Sequence, residues 1–217
     1  MKKFRPPQQK RKIITASFIV VILVSILTPT FAGVYKVAGP SMAPSLFWND
    51  LVLVNKGAYD VHLPFTFRRV FRWSNPEIGD IVLFQVPHEN YIAFKRVVAG
   101  PGDRIEMRGN RLLVNGIAAE YTAFDSSLLA SVADSNKLGQ RMEEERFGSQ
   151  SRIITYTPGK KDNFGEVRVP DGNYFLLGDN RDNSNDSRYF GPLPREQIVG
   201  KMCLVLKSAK PIGGQTY

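Results

Sequence analysis

The chain of 217 residues has one cysteine, Cys203, so no disulfide can close within it and no thiolate cluster can hold a metal. Cys203 sits in the apolar run Lys201-Met202-Cys203-Leu204-Val205-Leu206, which predicts a small buried hydrophobe rather than a reactive thiol. Histidine is nearly as scarce. His62 and His88 lie in unlike contexts at no ligand spacing and read as surface or loop residues, so neither a metal site nor a histidine base is expected. The sequence also lacks an internal repeat and any low-complexity tract.

With 43% hydrophobic and 23% charged residues, the composition is that of a globular chain with one good core. The net charge of +9 invites a nucleic-acid reading, but Lys2, Lys3, Arg5, Lys10, Arg11 and Lys12 supply six of those charges and leave +3 on the rest. No nucleic-acid partner is expected. Charge is absent from Ile13 to Ala32. About 20 residues rising about 1.5 Å each span the roughly 30 Å hydrocarbon core, which predicts a transmembrane helix over 13–32. The basic tail, 1–12, is then cytoplasmic, and everything after Ala32 lies on the outer side of the plasma membrane, in contact with lipid. Thr30-Phe31-Ala32 also has small residues at the spacing of a removable signal peptide, although the apolar run is long for one.

Asp50–Asn55, Gly79–Val86, Tyr91–Ala99, Asn173–Gly178 and Glu196–Lys207 read as strands, rich in β-branched and apolar residues and bounded by turn formers. Arg104–Met107 and Arg111–Val114 form a hairpin pair with turns at Gly109-Asn110 and Asn115-Gly116. Between Leu63 and Trp73 aromatic and basic residues alternate. This mixture suits a membrane interface, single-stranded nucleic acid or simple core packing; beside an anchor, the nucleic-acid reading is the weakest. From 118 to 168 the pattern weakens, with a short helix near Ser126 to Arg146, and the stretch reads as an insertion between core strands. A main β unit over 33–117 and 169–210, an inserted unit over 118–168 and a tail over 211–217 complete the expected organisation.

Two clusters carry chemistry. Ser41 stands on a bend, because Gly39 and Pro40 favour a turn before it and Pro44 blocks a regular ladder after it. Lys95 lies in the strand-like run Tyr91–Ala99 behind apolar neighbours. As a surface lysine it does nothing, but desolvated it becomes a base, since a drop of about 3 pKa units costs about 4 kcal/mol of differential solvation. It could then activate a serine hydroxyl without histidine. The polar run Gly178–Gly191 contains Asp179, Arg181, Asp186 and Arg188. Two arginines and no closing glutamate argue against a calcium loop, whereas interleaved Asp and Arg suit mutual pairing, leaving Ser184 or Ser187 to orient an amine.

The blocks Gly39-Pro40-Ser41-Met42-Ala43-Pro44-Ser45-Leu46, Gly79–Phe84, Lys95-Arg96-Val97-Val98 with Gly100–Asp103, and Gly178–Gly191 closely resemble, in order, the signature blocks of bacterial type I signal peptidases, the membrane-anchored Ser/Lys peptidases of family S26. The resemblance runs from the anchor to about Lys207, excepting the insertion. It implies an antiparallel β-sheet catalytic core with an inserted β-rich second domain behind one N-terminal transmembrane helix. It further implies Ser41 as nucleophile, Lys95 as general base, Ser184 as the hydroxyl positioning the amine, and Asp179, Arg181, Asp186 and Arg188 as loop braces. Gly39 stands where some members carry an oxyanion-donating hydroxyl, Ser45 replaces a usual threonine, and Ala93 replaces a frequent tyrosine.

Exported preproteins are the implied substrates, cut after Ala-x-Ala, with Tyr35, Val37, Met42, Leu46 and Phe94 as candidate pocket walls. No metal, cofactor or obligate protein partner is called for. A penicillin-recognising Ser/Lys enzyme is excluded because it needs a lysine where this chain has Pro44. A peptidase dedicated to one pilin or conjugation precursor, and a non-enzymatic anchored assembly factor, remain as alternatives.

Overall fold

The computed structural model describes Ser17 and residues 31–62, 69–124, 140–160 and 162–209. The expected tail over 1–12, most of the anchor over 13–32 and the tail from 211 lie outside the described residues. Among the described residues no helix is long and apolar enough to cross a membrane.

The strands, in chain order, are β1 (Ala32–Lys36), β2 (Leu51–Asn55), β3 (Asp60–His62), β4 (Arg69–Arg72), β5 (Ile81–Gln85), β6 (Ile92–Ala99), β7 (Arg104–Arg108) and β8 (Arg111–Val114). They continue as β9 (Ile117–Ala118), β10 (Glu120–Ala123), β11 (Arg141–Phe147), β12 (Gln150–Tyr156), β13 (Phe164–Arg168), β14 (Asn173–Leu177), β15 (Leu193–Pro194) and β16 (Ile198–Lys207). The protein is mainly antiparallel β. A seven-stranded sheet runs β1-β2-β16-β5-β6-β14-β15, beside a four-stranded sheet β13-β7-β8-β9 and a three-stranded sheet β10-β11-β12.

Both expected hairpin turns form, with positive φ at Gly109, Asn110, Asn115 and Gly116, the backbone that tight two-residue turns require. Alternation builds the core: Val82 and Phe84 of β5, with Val97 of β6 and Leu176 of β14, bury one face of the large sheet. Leu83 and Phe94 meet Val37, Met42, Leu46 and Val52 on the other. Each fully buried aliphatic or Phe side chain contributes roughly 1.5–3 kcal/mol relative to exposure.

Three expectations change. Cys203 is exposed rather than buried, because β16 is bulged between Met202 and Leu204, and there Met202 and Val205 pack on the core while Cys203 and Leu204 face out. The run Arg141–Arg146 is strand, not helix; residues 125–139 lie outside the described residues. On the β3–β4 hairpin, Val70, Phe71 and Trp73 are exposed, so these side chains do not pack on the core. Phe71 and Trp73 pair with each other, ring centroids 6.4 Å apart. Residues 63–68 of that stretch lie outside the described residues.

Candidate active site

The chain leaves β1 and turns at residues 39–46, where the Ala43 N–H donates to the Pro40 carbonyl at 3.1 Å and Leu46 N–H to Met42 at 2.9 Å. Met42 and Leu46 are buried beneath this turn and anchor it, so Ser41 stands at the surface of a fixed bend. Lys95 reaches Ser41 from β6, its Nζ 2.7 Å from Ser41 Oγ and 3.1 Å from the Phe94 carbonyl oxygen. Lys95 is only 3% exposed. That burial pulls its pKa from 10.5 to about 8, against the Asp186 and Asp179 carboxylates, which raise it, and with Arg188, which adds to the lowering.

The loop after β14 closes over the pair. Asn180 N–H donates to the Ser41 carbonyl at 3.0 Å, and its side-chain amide to the Pro40 carbonyl at 3.2 Å. A Cβ at Gly178 would stand 2.5 Å from the Ser41 carbonyl oxygen and 2.3 Å from Ser184 Oγ, so only glycine lets the two segments approach this closely. Asp186, fully buried, accepts from the Gly178 N–H at 2.9 Å, the Ser184 hydroxyl at 2.7 Å and Arg188 Nε and Nη2, both at 2.8 Å. Neither loop serine is hydrogen-bonded to Lys95: the Ser184 hydroxyl donates to Asp186, and the Ser187 hydroxyl accepts from Leu176 N–H at 2.9 Å.

Of the interleaved loop charges, Asp186 and Arg188 pair with each other as the sequence suggests. Asp179 and Arg181 do not: Asp179 takes Arg96 at 2.9 and 2.7 Å and the Ser45 hydroxyl at 2.5 Å, while Arg181 goes to Glu145 at 2.6 Å. Sequence reasoning missed Arg96, Asn180 and Glu145. Arg96 follows Lys95 directly and so had a positional signal; Glu145 had none.

A groove of about 250 Å³ runs past Ser41 and Lys95, with Tyr35, Val37, Met42 and Phe94 in its wall. Leu46 is not in the wall but lies behind it in the core. Gly39, Ala93 and Asn185 also face the groove. Its sides are backbone edges: β1 ends the large sheet, and β14 pairs with β6 only at Arg96, Val97 and Ala99, leaving Ile92–Lys95 without a β14 partner. Nothing lies within 4 Å of a Cβ built at Gly39. Gly39→Ser should therefore fold as the wild type, with an unchanged thermal midpoint.

The sequence matches the family model described as signal peptidase, peptidase S26, over residues 10–207. A signal peptidase I of Pseudomonas fluorescens is 36% identical over 208 residues, covering 88% of this chain and 69% of that protein. A signal peptidase I of Pseudomonas aeruginosa gives the same identity and coverage. A crystal structure of a signal peptidase I from Enterococcus faecalis is 29% identical, with a TM-score of 0.37 over 60% of this chain and 98% of that one. That backbone likeness is partial, and membership rests on the sequence matches. The chain thus belongs to the signal peptidase, peptidase S26, family.

Proposed function

We propose that the chain is a membrane-bound serine endopeptidase that removes N-terminal signal peptides from exported preproteins after Ala-x-Ala, with Ser41 as nucleophile and Lys95 as general base. The observation that carries this is a buried lysine with a pKa of about 8 whose Nζ stands 2.7 Å from a serine hydroxyl oxygen. Neutral Nζ accepts the Ser41 proton as Oγ attacks the scissile carbonyl, and the oxyanion rests on the Ser41 backbone N–H. The ammonium then protonates the leaving amine, the C–N bond breaks, and the amine product departs from the acyl-enzyme. Lys95, neutral again, takes a proton from water as it attacks the ester, then returns that proton to Ser41 Oγ as the C–O bond breaks and the new carboxyl group leaves. Ser184, bonded to Asp186, sits on the loop that faces this pair, and its expected role is to orient the amine.

The precursor binds as an extended strand between the end of β1 and the free edge of Ile92–Lys95, paired by backbone hydrogen bonds. Tyr35, Val37, Met42 and Phe94 leave room for alanine and exclude larger residues by contact. Membrane anchoring is supported by the uncharged run from Ile13 to Ala32 and by an exposed apolar row across the adjoining strands. In that row the exposed Val34 of β1 and Leu204 of β16 flank the half-buried Leu53 of β2, and Phe31 is exposed where the chain enters β1. The exposed Phe71 and Trp73 suit the same interface.

The test is cleavage of a precursor with an Ala-x-Ala junction by the detergent-solubilised full chain, with the product N-terminus sequenced. Cutting after the second alanine, lost when that alanine is replaced by leucine, is expected; cutting elsewhere refutes the specificity. The pH dependence carries a sign. Protonated Lys95 cannot accept the serine proton, so kcat/KM should rise with pH to a plateau above about 8 and fall about tenfold per unit below it. A flat profile from pH 6 to 9 would remove Lys95 as the base.

A further inference from the structure

Glu145 lies on β11, in the stretch where the sequence carries least pattern, yet it is 1% exposed. Its Oε2 accepts from Arg152 Nε and from Arg181 Nη2, both at 2.6 Å, and its Oε1 accepts from the Tyr121 hydroxyl at 2.6 Å. Burial alone would raise its pKa, but Arg181 and Arg152 hold it down to about 2, so it is an anion at any working pH. The neighbouring strand β12 touches the loop over the active site as well. Thr155 N–H donates to the Asp179 carbonyl at 2.9 Å, and Thr155 forms a parallel bridge with Asn180.

The other side of that loop faces the nucleophile. Asp179 takes both Arg96 and the Ser45 hydroxyl, and Asn180 N–H takes the Ser41 carbonyl. Asp179, Asn180 and Arg181 thus join the three-stranded sheet to the Ser41 turn through consecutive residues. The charges decide how they are held. Arg181 is buried and Arg96 partly so, and both guanidiniums lie within the field of Asp179. While Glu145 holds both Arg181 and Arg152, which also lies within the field of Asp179, Asp179 is left for Arg96.

We infer that Glu145 is a positioning residue for the Ser41–Lys95 pair: by holding Arg181 it keeps Asp179 on Arg96 and Ser45, and so keeps Asn180 on the Ser41 carbonyl. Without the Glu145 charge, buried Arg181 draws on Asp179, the loop shifts, and Ser41 Oγ leaves its place beside Lys95. The inference rests on the Ser41–Lys95 assignment. The competing role is a plain staple, in which Glu145 adds stability and nothing else.

Glu145→Gln, Arg181→Met and the double variant are compared in the full chain in detergent, with thermal midpoints, kcat and KM for one precursor. Glu145→Gln should lower kcat by about 10- to 100-fold, as expected for a small misplacement of the nucleophile. KM should stay within about twofold, because Tyr35, Val37 and Phe94, proposed to meet the substrate side chains, take no part in the bonds that run from Glu145 to Ser41. The double variant should recover part of the lost kcat, since removing Arg181 ends its claim on Asp179 while Arg152, freed from Glu145 as well, keeps its own; even a partial recovery is a non-additivity that a staple would not produce. Should Glu145→Gln fail to fold, Tyr121→Phe loosens the same carboxylate by one hydrogen bond, and its kcat should fall a few-fold, roughly, at unchanged KM. A folded Glu145→Gln with wild-type kcat overturns the inference. So does a loss shared by kcat and KM that simply adds in the double variant, or a wild-type kcat for Tyr121→Phe where Glu145→Gln does not fold. Wild type and Lys95→Ala run alongside: if Lys95→Ala matches wild type, the Ser41–Lys95 assignment fails on its own account, whatever the Glu145 variants do, and takes this inference with it.

Discussion

Lys95→Met should process precursor at least about 10³-fold more slowly than wild type and yet be the more stable protein near neutral pH. The loss follows from removing the only side-chain amine in contact with Ser41 Oγ among the described residues. The gain follows from desolvation. Lys95 has a pKa of about 8 in the fold against an ordinary 10.5, so between those values the unfolded chain binds more protons and wild-type stability rises with pH. Below about pH 8 the full penalty is present, about 3 kcal/mol. Methionine fills the same space without it. Denaturant unfolding at pH 7 and pH 10 should therefore show a stabilised variant at the lower pH and a much smaller difference at the higher one. A variant less stable than wild type at pH 7 would mean that burial is not what sets the Lys95 pKa.

Asp186→Asn should cost about 3–5 kcal/mol, because it leaves the Arg188 guanidinium, itself 3% exposed, without the carboxylate that takes its Nε and Nη2. Asp162 also contacts Arg188, and the Arg181 carbonyl accepts from it at 2.6 Å, so the loop keeps some hold on the cation. Activity should change in a separate way. The Asp186 carboxylate raises the Lys95 pKa and the Arg188 cation lowers it, so removing the carboxylate leaves the lowering effects in charge. In the fraction that folds, the midpoint of the kcat/KM profile should move below that of wild type. Urea unfolding and a pH–rate profile read both effects. An unchanged stability, or a midpoint moved upward, would show that Asp186 does not act on this pair as its position implies.

The strands nearest the site were legible because their burial is two-sided and local. Ile81–Gln85 and Ile92–Ala99 are runs of apolar and β-branched residues ended by glycine, proline or asparagine, and they pair along their length. Gly109-Asn110 and Asn115-Gly116 were legible for a similar reason, since few residues accept positive φ in succession. Ser41 and Lys95 were legible as residue types in characteristic local settings, although nothing local in the chain states that residues 54 apart in sequence come within 2.7 Å.

What sequence hid was decided by partners distant in the chain. Arg141–Phe147 is rich in Glu and Arg, residues that favour helix, but Glu143 and Glu145 find Arg111, Arg152 and Arg181 across the sheets, and the ion pairs override propensity. Asp179 and Arg181, two residues apart, looked made for each other, yet each faces a different neighbour. Cys203 has the right neighbours for burial, but a bulge in β16 carries it away from the core. Leu46 was read as a groove residue because it closes the Ser41 block; the bend that displays Ser41 turns Leu46 inward instead.

The most direct test of the central claim is Ser41→Ala. The full chain and this variant, both shown folded by their thermal midpoints, are incubated in detergent at pH 8.5 with a precursor carrying an Ala-x-Ala junction, and the product N-terminus is sequenced. The Ser41–Lys95 mechanism predicts a single cut after the second alanine by wild type and no product from Ser41→Ala. A folded Ser41→Ala that makes the same cut at the wild-type rate would contradict it.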